Sequence, residues 1–208
     1  MMSTKADTYL FRKNSFWSYL NIFVLISFGL ILKMFFARVF SAEEVGIFIS
    51  SQVAFTFVFF LCGSWLGDAS VFFISRSKEN KIVGKKTYLK LLKIGFIISS
   101  IALILYILYF FLFVEKIYED NYSKFLLFFL LWSLCIPFRL IGFISASVFQ
   151  SYDDMKKKVV LYDILPISLV FISIVMFEIL GLRNITLVLF AYIFSYVLFS
   201  FLSVIYLF

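Results

Sequence analysis

The chain has 208 residues, of which 63% are hydrophobic, 22% aromatic and 15% charged, far from the roughly 45–50% apolar and about 25% charged residues of soluble domains. A soluble globular fold is excluded on that ground, and the apolar runs are too long and uniform for barrel strands, which alternate over about 10 residues. The net charge is +7 and there is no histidine, so imidazole metal sites, Ser-His dyads and imidazole proton relays are absent from this chain.

Six apolar runs, near 16–37, 46–74, 91–114, 124–149, 159–180 and 185–208, reach the roughly 20 residues a helix needs to cross the hydrocarbon core. They predict an all-α integral membrane fold, with residues 1–208 forming a single six-helix transmembrane bundle. The first run is longer than a signal-peptide core of roughly 7–15 residues and lacks a convincing small-x-small cleavage site, so it is expected to remain as helix one. Lys33 lies about one turn below the outer end of that helix, where a long side chain can snorkel to the interface or contribute to a site.

Along helix two, Gln52, Thr56, Gly63, Gly67 and Ser70 share roughly one face, with Asp68 beside them. Asp68 is the natural candidate partner for a buried cation. Residues 76–93 carry seven lysines and arginines, which suggests a solvated basic loop facing anionic head groups.

Helix four contains "CIPFRLIGFISASVFQ" (135–150), with one permanent cation, Arg139. Counting at 1.5 Å per residue places Arg139 roughly 15 Å deep in a core of about 30 Å. Intramembrane arginines normally face a bundle interior or a water-filled cavity; a structural ion pair or a snorkelling side chain would look alike in sequence. Arg139, Gly142, Ala146 and Gln150 recur at helical spacing on one face, and Gly142 with Ala146 permits close helix approach. Pro137 removes a backbone donor and can kink the helix.

Asp163 and Glu178 fall near opposite ends of helix five, where an interfacial, solvated role is the default. Helix six presents a polar-aromatic stripe of Tyr192, Tyr196, Ser203 and Tyr206, suited to core packing or to a sugar-binding lumen. The chain stops inside this last run, at "FSYVLFSFLSVIYLF", as a truncated protein or one half of a larger one would.

Lys and Arg in short loops set orientation. One side carries 13 of them and the other 4, so both termini are expected in the cytoplasm. This asymmetry explains the positive charge without nucleic acid. Cys62 and Cys135 lie within helices without CxxC spacing and suit apolar packing. No Gly-rich phosphate loop, dinucleotide fingerprint or EF-hand occurs. No cofactor and no catalytic constellation are therefore expected. The sequons at Asn121 and Asn184 fall on outer loops, where chance occurrence is the simplest account.

The turn after helix one reads "FFARVFSAEEVGIFIS" (35–50). It resembles the signature of the polysaccharide and O-antigen flippases of the multidrug/oligosaccharidyl-lipid/polysaccharide exporter superfamily. Arg38, Glu43, Glu44 and Gly46 match, while Val45 replaces an aromatic residue and Ser41 a glycine. Physically, Arg38 can snorkel to head groups, the acidic pair suits a helix N-terminus, and Gly46 would permit close packing. "WLGDASVFFISR" (65–76) and "ASVFQSYDDMKKKVVLYDILPISLV" (146–170) are similar to further stretches of that family, and "ASVF" occurs in both.

The resemblance implies a bundle equivalent to the N-terminal lobe of a twelve- to fourteen-helix exporter. It further implies translocation of lipid-diphosphate-linked oligosaccharide across the cytoplasmic membrane for surface polysaccharide, such as lipopolysaccharide, with a second six-helix lobe or chain as partner. The cavity candidates are Arg139 as the central contact, Lys33 or Arg38 as an outer one, Asp68 as the holding partner and Gln52 on the helix-two stripe. A drug/cation antiporter of the same superfamily and a non-transporting scaffold in a polysaccharide-assembly complex are the alternatives.

Overall fold

The apolar runs form six long helices in the computed structural model, which describes residues 5–76, 81–114 and 122–207. Lys78, Lys116 and Asn121, and the side chain of Cys62, lie outside the described residues. In chain order the helices are α1 (Lys5–Val39), α2 (Ala42–Ser75), α3 (Lys81–Tyr109, prolonged by a π turn Phe110–Val114), α4 (Tyr122–Ser151), α5 (Met155–Ile179) and α6 (Ile185–Leu207). All six are long and apolar enough to cross a membrane, and no strand occurs among the described residues. The fold is the all-α six-helix bundle that composition and run length imply.

The helices outrun the apolar segments at the basic end of the bundle. α1 begins at Lys5 and α3 at Lys81, so the expected basic loop over 76–93 is largely the opening turns of α3, with Lys85, Lys86, Lys90 and Lys93 exposed on it. Lysine is a good helix former, so a helix need not stop where its apolar residues do.

Local chemistry explains the turns. Ser41 caps α2: its Oγ accepts from the Glu44 N–H at 3.3 Å while Glu44 Oε2 accepts from the Ser41 N–H at 3.2 Å, a reciprocal capping box. α4 runs through Pro137 as one helix. Beyond its end Asp153 adopts φ 60°, and Asp154 caps α5 by accepting from the Lys157 N–H at 3.2 Å. Gly181, at φ 70°, ends α5, with the Leu182 N–H donating to Phe177 O at 2.8 Å and the Gly181 N–H to Glu178 O at 3.0 Å, the Schellman arrangement that a left-handed residue permits. Glu178 pairs with Arg183 across this turn at 2.6 Å. Asn184 Oδ1 then accepts from the Thr186 N–H at 2.9 Å, so this sequon asparagine caps α6.

α4 is the hub. Half of its most apolar window is buried, against 11% for α1, which places α1 at the edge while α2, α3 and α6 flank α4. The small residues of α2 and α4 make the close seams. A Cβ on Gly63 would lie 2.8 Å from Leu140 Cδ1, one on Gly67 would overlap the Phe143 ring, and one on Gly142 would lie 3.0 Å from Ser200 Oγ. The Ser200 hydroxyl uses the room at Gly142 to donate to the Phe138 carbonyl. Gly46, in contrast, has nothing within 4 Å of a built Cβ, so the close-packing role expected for it is corrected: it lies on an exposed part of α2.

Two cores fill the bundle. One, toward the end carrying the α1–α2 turn, is built around Phe36, Phe48, Phe55, Tyr106, Phe129 and Trp132. Tyr106 stacks on Phe129 at 3.7 Å and donates its hydroxyl to Ser51 O at 3.1 Å. The other, toward the basic end, gathers Phe59, Leu66, Ile74, Leu91, Leu140 and Ile144. Arg139 sits where these cores meet.

Candidate functional site

Arg139 projects from α4 among rings. Its guanidinium carbon is 4.8 Å from the centroid of Phe59, 5.2 Å from Phe55 and 5.2 Å from Tyr196, all within the roughly 6 Å over which a ring face attracts a cation. Tyr162 lines the same cavity as Arg139. No carboxylate among the described residues reaches ion-pair distance of Arg139.

α5 supplies the opposite wall through an irregularity. After Met155–Lys158 the chain widens into a π segment, Val159–Ile164, and returns to α geometry over Leu165–Ile179. The Leu165 N–H donates five residues back, to Val160 O. Pro166 follows at once; it lacks the N–H that would pair with the Tyr162 carbonyl, and its ring is better accommodated by a wider turn. π segments inside α-helices recur at functional sites. This one carries Tyr162 and Asp163, which line the same cavity as Arg139.

α1, α4, α5 and α6 line a cavity of about 180 Å³, whose polar lining is Arg139, Tyr162, Asp163, Tyr192, Ser195 and Tyr196. Ser195 donates its hydroxyl to Tyr192 O at 2.8 Å. On the α1 side, Asn21 Nδ2 donates to Asp163 Oδ2 at 3.0 Å, which ties the peripheral helix to the site. Toward the basic end, Lys158 Nζ donates to Gln150 Oε1 at 2.6 Å. Polar groups thus continue from the cavity toward the end of α4.

The candidates from sequence divide. Arg139 lines the cavity, and Gly142 on its stripe faces Tyr162 and Ser200. Tyr192 and Tyr196 line it too, whereas Ser203 is buried and donates to Phe199 O at 2.7 Å, and Tyr206 is exposed at the basic end. Asp68 is exposed on α2 and is not brought to Arg139; the carboxylate that shares the cavity is Asp163. Lys33 and Arg38 are exposed on α1, and Gln52 is part-buried on α2; none of the three lines this cavity.

Asp163 and Tyr162 are the members that sequence reasoning missed. An apolar run that begins near 159 puts Asp163 at the interface. With α5 beginning at Met155, Asp163 lies eight residues in, about 12 Å from the helix start. The signal was present in "YDILP" (162–166): an acid and a tyrosine just before a proline in an apolar run mark a broken helix bearing polar groups.

These helices define a multi-pass helical membrane protein. No protein-family model, no curated protein and no solved structure matches the chain.

Proposed function

We propose that this bundle is one lobe of a flippase that carries lipid-diphosphate-linked oligosaccharides across the cytoplasmic membrane for surface polysaccharide synthesis. Both termini face the cytoplasm in this reading, and a second six-helix lobe or chain completes the path. The observation that carries it is Arg139: a permanent cation inside the bundle, held by aromatic rings and bordered by the hydroxyls of Tyr162, Tyr192, Ser195 and Tyr196. A guanidinium matches phosphate oxygens by paired, charge-assisted hydrogen bonds, and phenolic hydroxyls serve a sugar as donor or acceptor. The resemblance of residues 35–50 to flippases supports the same substrate class.

The test is leaflet accessibility of a labelled lipid-linked sugar in vesicles carrying the native assembly. Arg139→Gln is expected to lower translocation at least tenfold while the protein stays folded; an unchanged rate removes Arg139 from the mechanism.

Asp163 favours a second reading. With one acid facing one base, the cavity is formally neutral, and a carboxylate at this depth suits the drug/cation antiporter alternative. Binding of an organic cation in preference to an anionic sugar-lipid, abolished by Asp163→Asn, would select it.

A further inference from the structure

A larger cavity, of about 590 Å³, opens at the basic end between α1, α2 and the α4–α5 turn. We propose that it is an aqueous vestibule, through which water and small polar solutes reach the Arg139 cavity from the basic end alone, past a polar partition.

The placement of the two cavities is the first reason. α1 lines the larger one from Phe11 to Ile22 and the Arg139 cavity at Leu25. α4 lines them at Gln150 and Arg139 in turn, and α5 at Met155 and then at Tyr162 and Asp163. The cavities thus stack along the same three helices. Polar pairs mark the boundary: Asn21 of α1 donates to Asp163 of α5 at 3.0 Å, and Lys158 of α5 donates to Gln150 of α4 at 2.6 Å. These four residues belong to neither apolar core, so water can exchange with their hydrogen bonds while both cores stay packed. Toward the opposite end, the Arg139 cavity is closed by Val170 and Tyr192, which pack in the aromatic core.

The lining chemistry is the second reason. Asn14, Ser15, Ser18, Tyr19 and Gln150 put amides and hydroxyls on the vestibule wall, groups for which a lipid chain offers no partner. Ser18 donates to Asn14 O at 3.1 Å, and its oxygen keeps acceptor capacity. Asn21 supplies the third reason. Its Oδ1 is buried and accepts no hydrogen bond from the described residues, a costly state that an arriving water relieves by donating to it. α1 is also the helix least held: 11% of its apolar window is buried, and it packs chiefly on α5 and barely touches α2. The vestibule requires only that the bundle sits in a membrane and does not depend on the transport reading.

Thiol access in native-membrane vesicles tests the proposal, with the full chain carrying Cys62→Ser and Cys135→Ala. The probe is sulfonatoethyl methanethiosulfonate, an anion that does not cross the bilayer, applied to the membrane face from which it modifies Lys86→Cys at the basic end. Ile22→Cys, in the vestibule lining, is expected to react at least tenfold faster than Phe23→Cys, its exposed neighbour outside that lining. Equal rates would make the crevice no more aqueous than the outer surface of α1 and would overturn the vestibule. Ser195→Cys, buried in the Arg139 cavity, is expected to react from that membrane face and not from the other, and at least fivefold faster in Asn21→Ala/Gln150→Ala. Modification from the opposite face, or from neither, would overturn the route; an unchanged rate in the double variant would overturn the partition. The comparisons with Asn21 and Gln150 intact decide the route even if the double variant fails to fold. Translocation is not the readout, so failure of this route and failure of the flippase reading are distinguishable.

Discussion

Placing a guanidinium at depth in a membrane costs about 2.5–3.5 kcal/mol on insertion scales. A desolvated cation–π contact returns up to about 2 kcal/mol, so the three rings around Arg139 can offset that cost without a counter-ion. The charge stays available to a ligand. Small residues are the other decisive feature at this scale. Gly67 faces the Phe143 ring, which is itself packed on Phe59 and Tyr162, each with centroids 5.8 Å away, so the ring has little room to yield. Gly67→Ala is expected to destabilise by about 1–3 kcal/mol, the usual cost of overpacking, whereas Gly46→Ala should be neutral or stabilise by up to about 1 kcal/mol through helix propensity. Thermal unfolding of both variants in one detergent checks the pair; equal shifts would contradict the packing seen at α2 and α4.

Helices were legible in the sequence because apolar runs of membrane length admit few other structures. Their ends were less so. Hydropathy marks where the lipid stops, while the helix stops where its caps are, and the S-x-x-E pattern at Ser41 to Glu44 was a readable cap that hydropathy alone passes over. Ser41→Ala removes the side-chain acceptor for the Glu44 N–H and is expected to cost about 1 kcal/mol, with Ser41→Asp retaining most of the stability; a urea titration in micelles separates the two. Helix rotation was not legible at all. Asp68 and Asp163 are both single acids in apolar runs, and only the packing of α5 against α1, α4 and α6, with its π segment, decides that Asp163 is the one to meet the Arg139 cavity.

At the scale of the whole bundle, the lysines and arginines gather at one end, and the proposed orientation puts that end in the cytoplasm. In a background carrying Cys62→Ser and Cys135→Ala, a membrane-impermeant thiol reagent applied to intact cells is expected to label Glu43→Cys at the α1–α2 turn and to spare Asp153→Cys at the α4–α5 turn. The reverse pattern would invert the bundle. The architecture also contains a spare residue. Where α5 widens at Val159–Ile164, the backbone holds more chain per turn than an α-helix needs, and a shift of that surplus along α5 would turn the side chains it passes while the axis stayed in place. Moving it past Asp163 would swing the carboxylate by about 100°, the angle one residue subtends, and carry it off the Arg139 wall. A chamber that is formally neutral would become cationic through the turning of a single side chain, with no rigid body displaced.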